Sequence, residues 1–340
     1  MDGIFSRITG NDALKKRLLA DIQHGSLSHA YIIEGKKGCG KHLAAQAITA
    51  AVNCTGDKHK VPCGSCDSCR RILEHLTPDV ITISRESGKA TLGVDPIRSI
   101  CTDASTVPSE LDRKVYVIEE AERMTPQAQN ALLLTLEEPP PFVMFLLLCE
   151  NALSLLETIR SRAPIIRVEP LERSTLDLYL IENDPRARLL KSNQQNEYEI
   201  VLTTADGSPG EAIRLLDSKE RKLLLLKRSA VDAILSACAE RAPGKALSVV
   251  LTAPPPKRAD MIPLFTLLLT ALRDLLLISR SEHPHLCYYT DLEEAADRAS
   301  SFSLSSLVSL FEATERAIDS LLKNASVPLT LVHFSVSVGC

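Results

Sequence analysis

Apolar and polar positions alternate along the chain with two different periods, and the change from one to the other divides it. Ala13, Leu14, Leu18, Leu19 and Ile22 fall at helical spacing, with Lys15, Lys16 and Arg17 between them, which predicts an amphipathic helix over Asn11–Ile22. Short, nearly continuous apolar runs follow at Tyr31–Ile33, Val80–Ile83, Val115–Ile118, Val143–Leu148 and Ile165–Val168. Runs of that kind suit strands of a parallel sheet buried on both faces. Helical segments over His42–Val52, Asp95–Ser105, Pro126–Glu137 and Leu153–Ser161 separate them, so residues 1–168 are expected to form one α/β domain with a doubly wound parallel sheet.

After Val168 the strand pattern stops and only the helical period remains. Ser174–Leu180, Asp184–Lys191, Glu197–Thr203 and Pro209–Leu216 predict a small helical domain over 169–221. From residue 222 to 340 the pattern is a Leu-rich helical bundle, with helices over Lys222–Ala239, Gly244–Leu251, Ala259–Arg280, Leu292–Arg298 and Leu304–Asn324, punctuated by the APPPK stretch at Ala253–Lys257. A bundle of this kind without a polar constellation is expected to serve packing or oligomerisation rather than catalysis. No internal repeat or low-complexity tract interrupts the pattern. The fold class expected is therefore α/β followed by all-α.

Composition sharpens this outline. The most apolar stretch, Met261–Leu272, has twelve uncharged residues before Arg273 and Asp274, short of the roughly 20 that span a bilayer, and reads as a buried helix. The N-terminus, MDGIFSRITGND, has neither a cationic segment nor an apolar core, so a cytoplasmic protein without membrane partners is expected. A formal net charge of −4 supplies no footprint for strong autonomous nucleic-acid binding, so such contacts would be local or shared with partners. Ten cysteines in a cytoplasmic chain argue against a disulfide framework; four of them cluster and six are scattered.

Three patterns carry chemistry. In AYIIEGKKGCGKHLAA, over Ala30–Ala45, a strand runs into a glycine turn that opens a helix. Gly35, Gly38 and Gly40 let the backbone aim its N–H groups inward, and Lys41 adds a point charge at the positive end of the helix dipole, which makes a phosphate cradle. The P-loop pattern wants Ser or Thr after the lysine to ligate Mg²⁺, and here stands His42. The cradle is expected to hold ATP or ADP weakly and to be ill suited to hydrolysing it. The strand at Val115–Ile118 ends in Glu119 and Glu120, an acidic pair at the edge where the cradle should lie; the usual first acid is Asp, and the extra methylene moves the carboxylate by about 1.5 Å. Cys54, Cys63, Cys66 and Cys69 form C-x8-C-x2-C-x2-C, a closed thiolate set suited to structural Zn²⁺, with an iron–sulfur cluster as the alternative metal group. Finally, Arg162 closes a helix before the last strand, where it could complement the helix C-terminus or reach a neighbour's phosphate.

HAYIIEGKKGCGKH, the four-cysteine insert, VYVIEEAERMTPQAQNALLLTLEEPPPFVMFLLL and TIRSRAPIIRVEPL together resemble the AAA+ subunits of the bacterial clamp loader of DNA polymerase III, and most closely their delta-prime branch. The resemblance covers Ile4 to about Leu216; the C-terminal helices match only in character. It implies an AAA+ P-loop domain carrying a zinc module at 54–69, a helical lid at 169–221 and a helical collar at 222–340. It also implies a ring with gamma/tau and delta subunits that places a sliding clamp on primed DNA. On this resemblance Cys54, Cys63, Cys66 and Cys69 are zinc ligands; Gly35, Gly40 and Lys41 form the phosphate loop; Glu119 and Glu120 are the acidic pair; and Arg162 is the arginine that acts in trans. The chain departs from the motor pattern at His42, at Ala163, at Cys149 and Glu150, and at Gly210, where motor subunits carry the lid arginine. A largely non-hydrolysing subunit with no polymerase site is therefore expected, ahead of an active gamma/tau-type ATPase. A zinc-bearing nucleoside phosphate kinase is a third reading. It is disfavoured because the cysteine module begins too soon after Lys41 and because a kinase has no need of the collar-like bundle.

Overall fold

The computed structural model describes residues 4–56, 61–86, 88–240, 257–281 and 284–338. The helix expected over Gly244–Leu251 and most of the APPPK stretch lie outside the described residues. Two compact units emerge, one made of Met1–Tyr179 with Gly207–Glu211 and the other of Leu180–Asp206 with Ala212–Cys340.

The first unit is built on five parallel strands, β1 (Ala30–Glu34), β2 (Val80–Ile83), β3 (Lys114–Ile118), β4 (Val143–Cys149) and β5 (Ile165–Arg167), in the order β2-β3-β4-β1-β5. Alternate residues of each strand enter opposite layers: Tyr31, Ile33, Val115, Val117, Met144, Leu146 and Leu148 pack on one face. Ala30, Ile32, Tyr116, Ile118, Phe145 and Leu147 pack on the other. All seven residues of β4 are buried, which is why the strands read as continuous apolar runs rather than alternating ones.

Helix α1 (Asp12–Gln23) precedes β1, and α2 (Lys41–Val52), α3 (Asp67–Leu73), α4 (Val94–Asp103), α5 (Pro126–Glu137) and α6 (Glu157–Arg160) connect the strands. Of these, α3 lies inside the cysteine insert, and the segment expected as one helix over Leu153–Ser161 is instead a 3₁₀ turn at Ala152–Ser154 followed by the four-residue α6. Leu155 and Leu156 between them are extended, with Leu155 buried in the core layer and the Leu156 N–H donated to Gln129 Oε1, so the chain is pulled out of helical geometry there.

Helices α7 (Arg173–Asn183), α8 (Pro185–Asn193), α9 (Gln195–Ala205) and α10 (Pro209–Leu215) follow, then α11 (Ser218–Ala239), α12 (Arg258–Ile278), α13 (Leu292–Ser300), α14 (Leu304–Leu322) and α15 (Val327–Val338). In the second unit, Val231, Leu235, Phe265, Leu268, Leu272, Leu310, Leu321 and Phe334 form one apolar core. Among the described residues, α12 is the one helix long and apolar enough to cross a membrane by length and composition. Its Leu264, Phe265, Leu268, Ala271, Leu272 and Leu275 are buried inside the bundle, as expected of a core helix.

Candidate functional site

The strand order determines where chemistry can sit. Since β4 lies between β1 and β3, the loop after β1, the end of β4 and the acids after β3 form a row at one edge of the sheet, the usual place for ligands in open parallel sheets. Gly35 N–H donates to Cys149 O across the β1/β4 ends at 3.1 Å. A cleft of ≈ 230 Å³ opens there, lined by Gly38, Gly40, Lys41, His42, Glu119, Glu120, Cys149 and Glu150, among others. The expected cradle, the acidic pair and the departures at Cys149 and Glu150 are thus brought together, whereas Arg162 is not among the lining residues.

Gly40 caps α2 in the left-handed region at φ 108°, a conformation that glycine adopts without strain, and α2 starts with Lys41. The Lys41 ammonium donates to Gly35 O at 2.6 Å and Lys36 O at 3.0 Å, holding its charge over the loop. Gly38 is also left-handed, at φ 75°, and the segment 207–211 lies directly on it: Gly210 N–H donates to Gly38 O at 2.9 Å and Ser208 Oγ to Lys37 O at 2.7 Å. A Cβ at Gly210 would meet Gly38 Cα and O at 2.9 Å, so this position, where an arginine is expected in a motor, is fitted to the absence of a side chain. A Cβ at Gly38 would meet Ser208 Oγ at 2.6 Å and Glu211 N at 2.8 Å, while one at Gly40 meets nothing within 4 Å. Gly40→Ala should therefore introduce only the left-handed strain, about 1–2 kcal/mol, whereas Gly38→Ala adds the collision. Urea unfolding of the two variants checks this, Gly38→Ala being expected to have the lower midpoint.

Each acid of the pair already has a side-chain partner from its own chain. His42 Nε2 sits 2.7 Å from Glu119 Oε1, and Arg85 pairs with Glu120. The Arg85 hydrogen bond is the main reason the Glu120 carboxyl is held below the usual range. Glu120 is itself left-handed at φ 46°, which turns its side chain toward Arg85 rather than along the strand direction. A third carboxylate lines the cleft: Glu122, whose Oε2 is buried and makes no hydrogen bond among the described residues. Cys149, at the end of β4, is a buried thiol pushed up to about 12 by burial, so it stays neutral and donates or accepts only weakly. The donor set fits phosphate through loop N–H groups and Lys41; it fits Mg²⁺ poorly, since the hydroxyl is replaced by imidazole and both acids are engaged. Arg85 gave no signal in the sequence, because it stands in an irregular loop 35 residues from Glu120.

The four-cysteine cluster is a separate site. Cys54 follows α2, Cys66 caps α3, and the Sγ atoms of Cys54, Cys63, Cys66 and Cys69 all lie within 4.8 Å of one another. Backbone N–H groups point at the sulfurs: Cys63 N–H donates to Cys54 Sγ at 3.4 Å, Cys66 N–H to Cys63 Sγ at 3.2 Å and Cys69 N–H to Cys66 Sγ at 3.5 Å. Such donors favour thiolate over thiol. Gly56 is part of the cradle, since a Cβ there would stand 2.7 Å from Cys63 Sγ. Four soft donors from one turn of chain fit a metal ion, and with four protein ligands no coordination position is left for a substrate.

Arg162 lies one residue beyond the C-cap of α6. Its Nη1 donates to Thr158 O at 2.8 Å and Ser161 Oγ at 3.2 Å, and its Nη2 meets Glu137 Oε1, at the last residue of α5, at 2.6 Å. The Arg162 side chain is 34% exposed, with Glu137 and the helix end holding its guanidinium. Glu137 was not singled out by the sequence pattern.

Residues 10–172 match the family described as DNA polymerase III, delta subunit. The delta-prime subunit of DNA polymerase III from Bacillus subtilis (strain 168) is 35% identical over 189 residues, 55% of this chain and 56% of that protein. The tau subunit of the same organism is 32% identical over 213 residues, 63% of this chain and 37% of its own length, so the chain spans little more than a third of that relative. Among solved structures, a gamma subunit-related protein from Thermotoga maritima is similar at TM-score 0.48 and 18% identity, covering 96% of this chain and 98% of that one. The sequence likeness makes residues 10–172 a homologue of DNA polymerase III subunits of the delta-prime and gamma/tau kind.

Proposed function

We propose that this chain is the delta-prime member of a bacterial clamp loader. In this reading it is a cytoplasmic AAA+ subunit that assembles with gamma/tau and delta, helps place a sliding clamp on primed DNA, and does little hydrolysis of its own. Residues 1–168 act as the P-loop domain, 169–221 as the lid and 222–340 as the collar. Cys54, Cys63, Cys66 and Cys69 hold a structural Zn²⁺, and Arg162 serves a neighbouring subunit's ATP in trans. The observation that carries the reading is that both acids already have partners within the chain: His42 Nε2 sits 2.7 Å from Glu119 and Arg85 pairs with Glu120, so side chains of this chain stand where a motor needs Mg²⁺ and its water.

The likeness to the B. subtilis tau subunit favours a second reading, an active gamma/tau-type ATPase. Nucleotide titration of the isolated chain separates the two. For the delta-prime reading ATP binds weakly, its affinity changes little when Mg²⁺ is removed, and turnover is negligible. Tight, Mg²⁺-dependent binding with steady hydrolysis would establish the motor reading instead.

A further inference from the structure

We propose that the second unit carries a divalent-metal site of its own, formed by Asp206, His285 and Cys287 and suited to Zn²⁺. One ligand atom from each of these three side chains lies within 4.8 Å of the other two. His285 Nε2 is already 2.7 Å from Asp206 Oδ1. Zn–N and Zn–O bonds of about 2.0–2.2 Å and a Zn–S bond of about 2.3 Å put tetrahedral ligands roughly 3.3–3.7 Å apart. Closing to that geometry needs shifts on the order of an ångström from the observed positions. Borderline nitrogen, sulfur and oxygen donors together are the set Zn²⁺ takes, with water in the fourth position.

The scaffold around the sulfur is rigid. Asp274 is fully buried and gathers three successive N–H groups: Cys287 at 3.0 Å, Tyr288 at 2.7 Å and Tyr289 at 3.2 Å, all to Oδ2. That clamp fixes the backbone that presents Cys287. Arg273 Nη1 donates to Cys287 Sγ at 3.0 Å, an outer contact that stabilises a thiolate ligand while leaving the remaining sulfur lone pairs for a metal. Asp206 stands at the left-handed C-cap of α9, φ 44°, so its carboxylate comes from a different part of the chain. Binding breaks the Cys287 S–H bond and the His285–Asp206 hydrogen bond and forms three metal–ligand bonds: the thiol proton goes to solvent and the neutral imidazole ligates through Nε2 with its proton on Nδ1, without any redox step. The consequence is a cross-link within the unit, tying the end of α9 to the stretch 285–287. This site is independent of the four-cysteine cluster and of the clamp-loader reading.

The test uses the full-length chain, dialysed against a chelator and then against micromolar free Zn²⁺, with iodoacetamide labelling of each cysteine read by peptide mass spectrometry. Zn²⁺ is expected to protect Cys287 in the unaltered protein. His285→Ala, a change at an exposed side chain, should remove that protection and weaken Zn²⁺ at this site by more than the roughly 10- to 100-fold typical of losing an outer-shell partner. Cys287→Ser should lower the Zn²⁺ count by one relative to the unaltered chain, while labelling of Cys54, Cys63, Cys66 and Cys69 reports separately on the other cluster. Labelling of Cys287 at the same rate with and without Zn²⁺, or protection that survives His285→Ala, overturns the proposal.

Discussion

A clamp-loader assembly carrying Arg162→Ala in this chain is expected to hydrolyse ATP at the adjacent subunit's site about 10³–10⁵-fold more slowly, the usual contribution of an arginine finger. In free energy that is roughly 4–7 kcal/mol of lost transition-state stabilisation. Before engagement the guanidinium is held by Glu137 at 2.6 Å and by Thr158 O at 2.8 Å. With Arg162 34% and Glu137 45% exposed, such a pair contributes only about 0.2–1 kcal/mol, far less than the finger gains on a γ-phosphate, so the contact orients the side chain without locking it. Arg162→Lys should not restore the rate, because an ammonium cannot bridge two phosphate oxygens in one plane. Only one site of the ring loses its finger, so summed hydrolysis falls partially while assembly and metal content stay unchanged. Steady-state ATPase and clamp-loading rates of the reconstituted complex check this; loading at the unmutated rate would reduce Arg162 to a charge closing α6.

Removing metal from the four-cysteine cluster should have the other large effect. Structural Zn²⁺ sites in small modules bind with an apparent free energy of about 10–16 kcal/mol, and that binding energy is folding energy for the loop they close. Here the loop is short and its packing is modest: Cys69 and Ile72 are its buried apolar contributions to the layer beneath it, while the sheet retains its own two apolar layers. Chelation should therefore raise hydrogen exchange across residues 53–72 and leave β1, β3 and β4 protected. Slow exchange persisting through 53–72 after complete metal removal, or a pure protein with four readily alkylated thiols and no zinc, would contradict a structural metal.

The sheet was legible because its strands are buried on both faces; strand Val80–Ile83 and helix Pro126–Glu137 were placed to the residue, and no other strand end differs by more than one position. What escaped was set by context. Helix α3 is only seven residues long and sits inside the cysteine insert, where its cap is the Cys66 sulfur rather than a Ser or Asp. Helix α15 has four Val among its twelve residues and Pro328 in its first turn, and is helical because Leu331 and Phe334 enter the bundle core. The phosphate loop, the acidic pair and the cysteine cluster announced themselves through spacing. Their state did not: His42 and Glu119 are 77 residues apart, and Arg85 and Glu120 are 35, so only tertiary structure reveals that each acid already has a side-chain partner. The same holds for Gly210, whose role as a close neighbour of Gly38 depends on where the 207–211 segment crosses the loop.

Native mass spectrometry of the complex that this chain forms in its own cells tests the account most directly. The account predicts a ring containing one copy of this chain together with gamma/tau and delta subunits, with zinc retained on it. A chain recovered alone, or present in several copies at the motor positions with no other gamma/tau subunit, would contradict it.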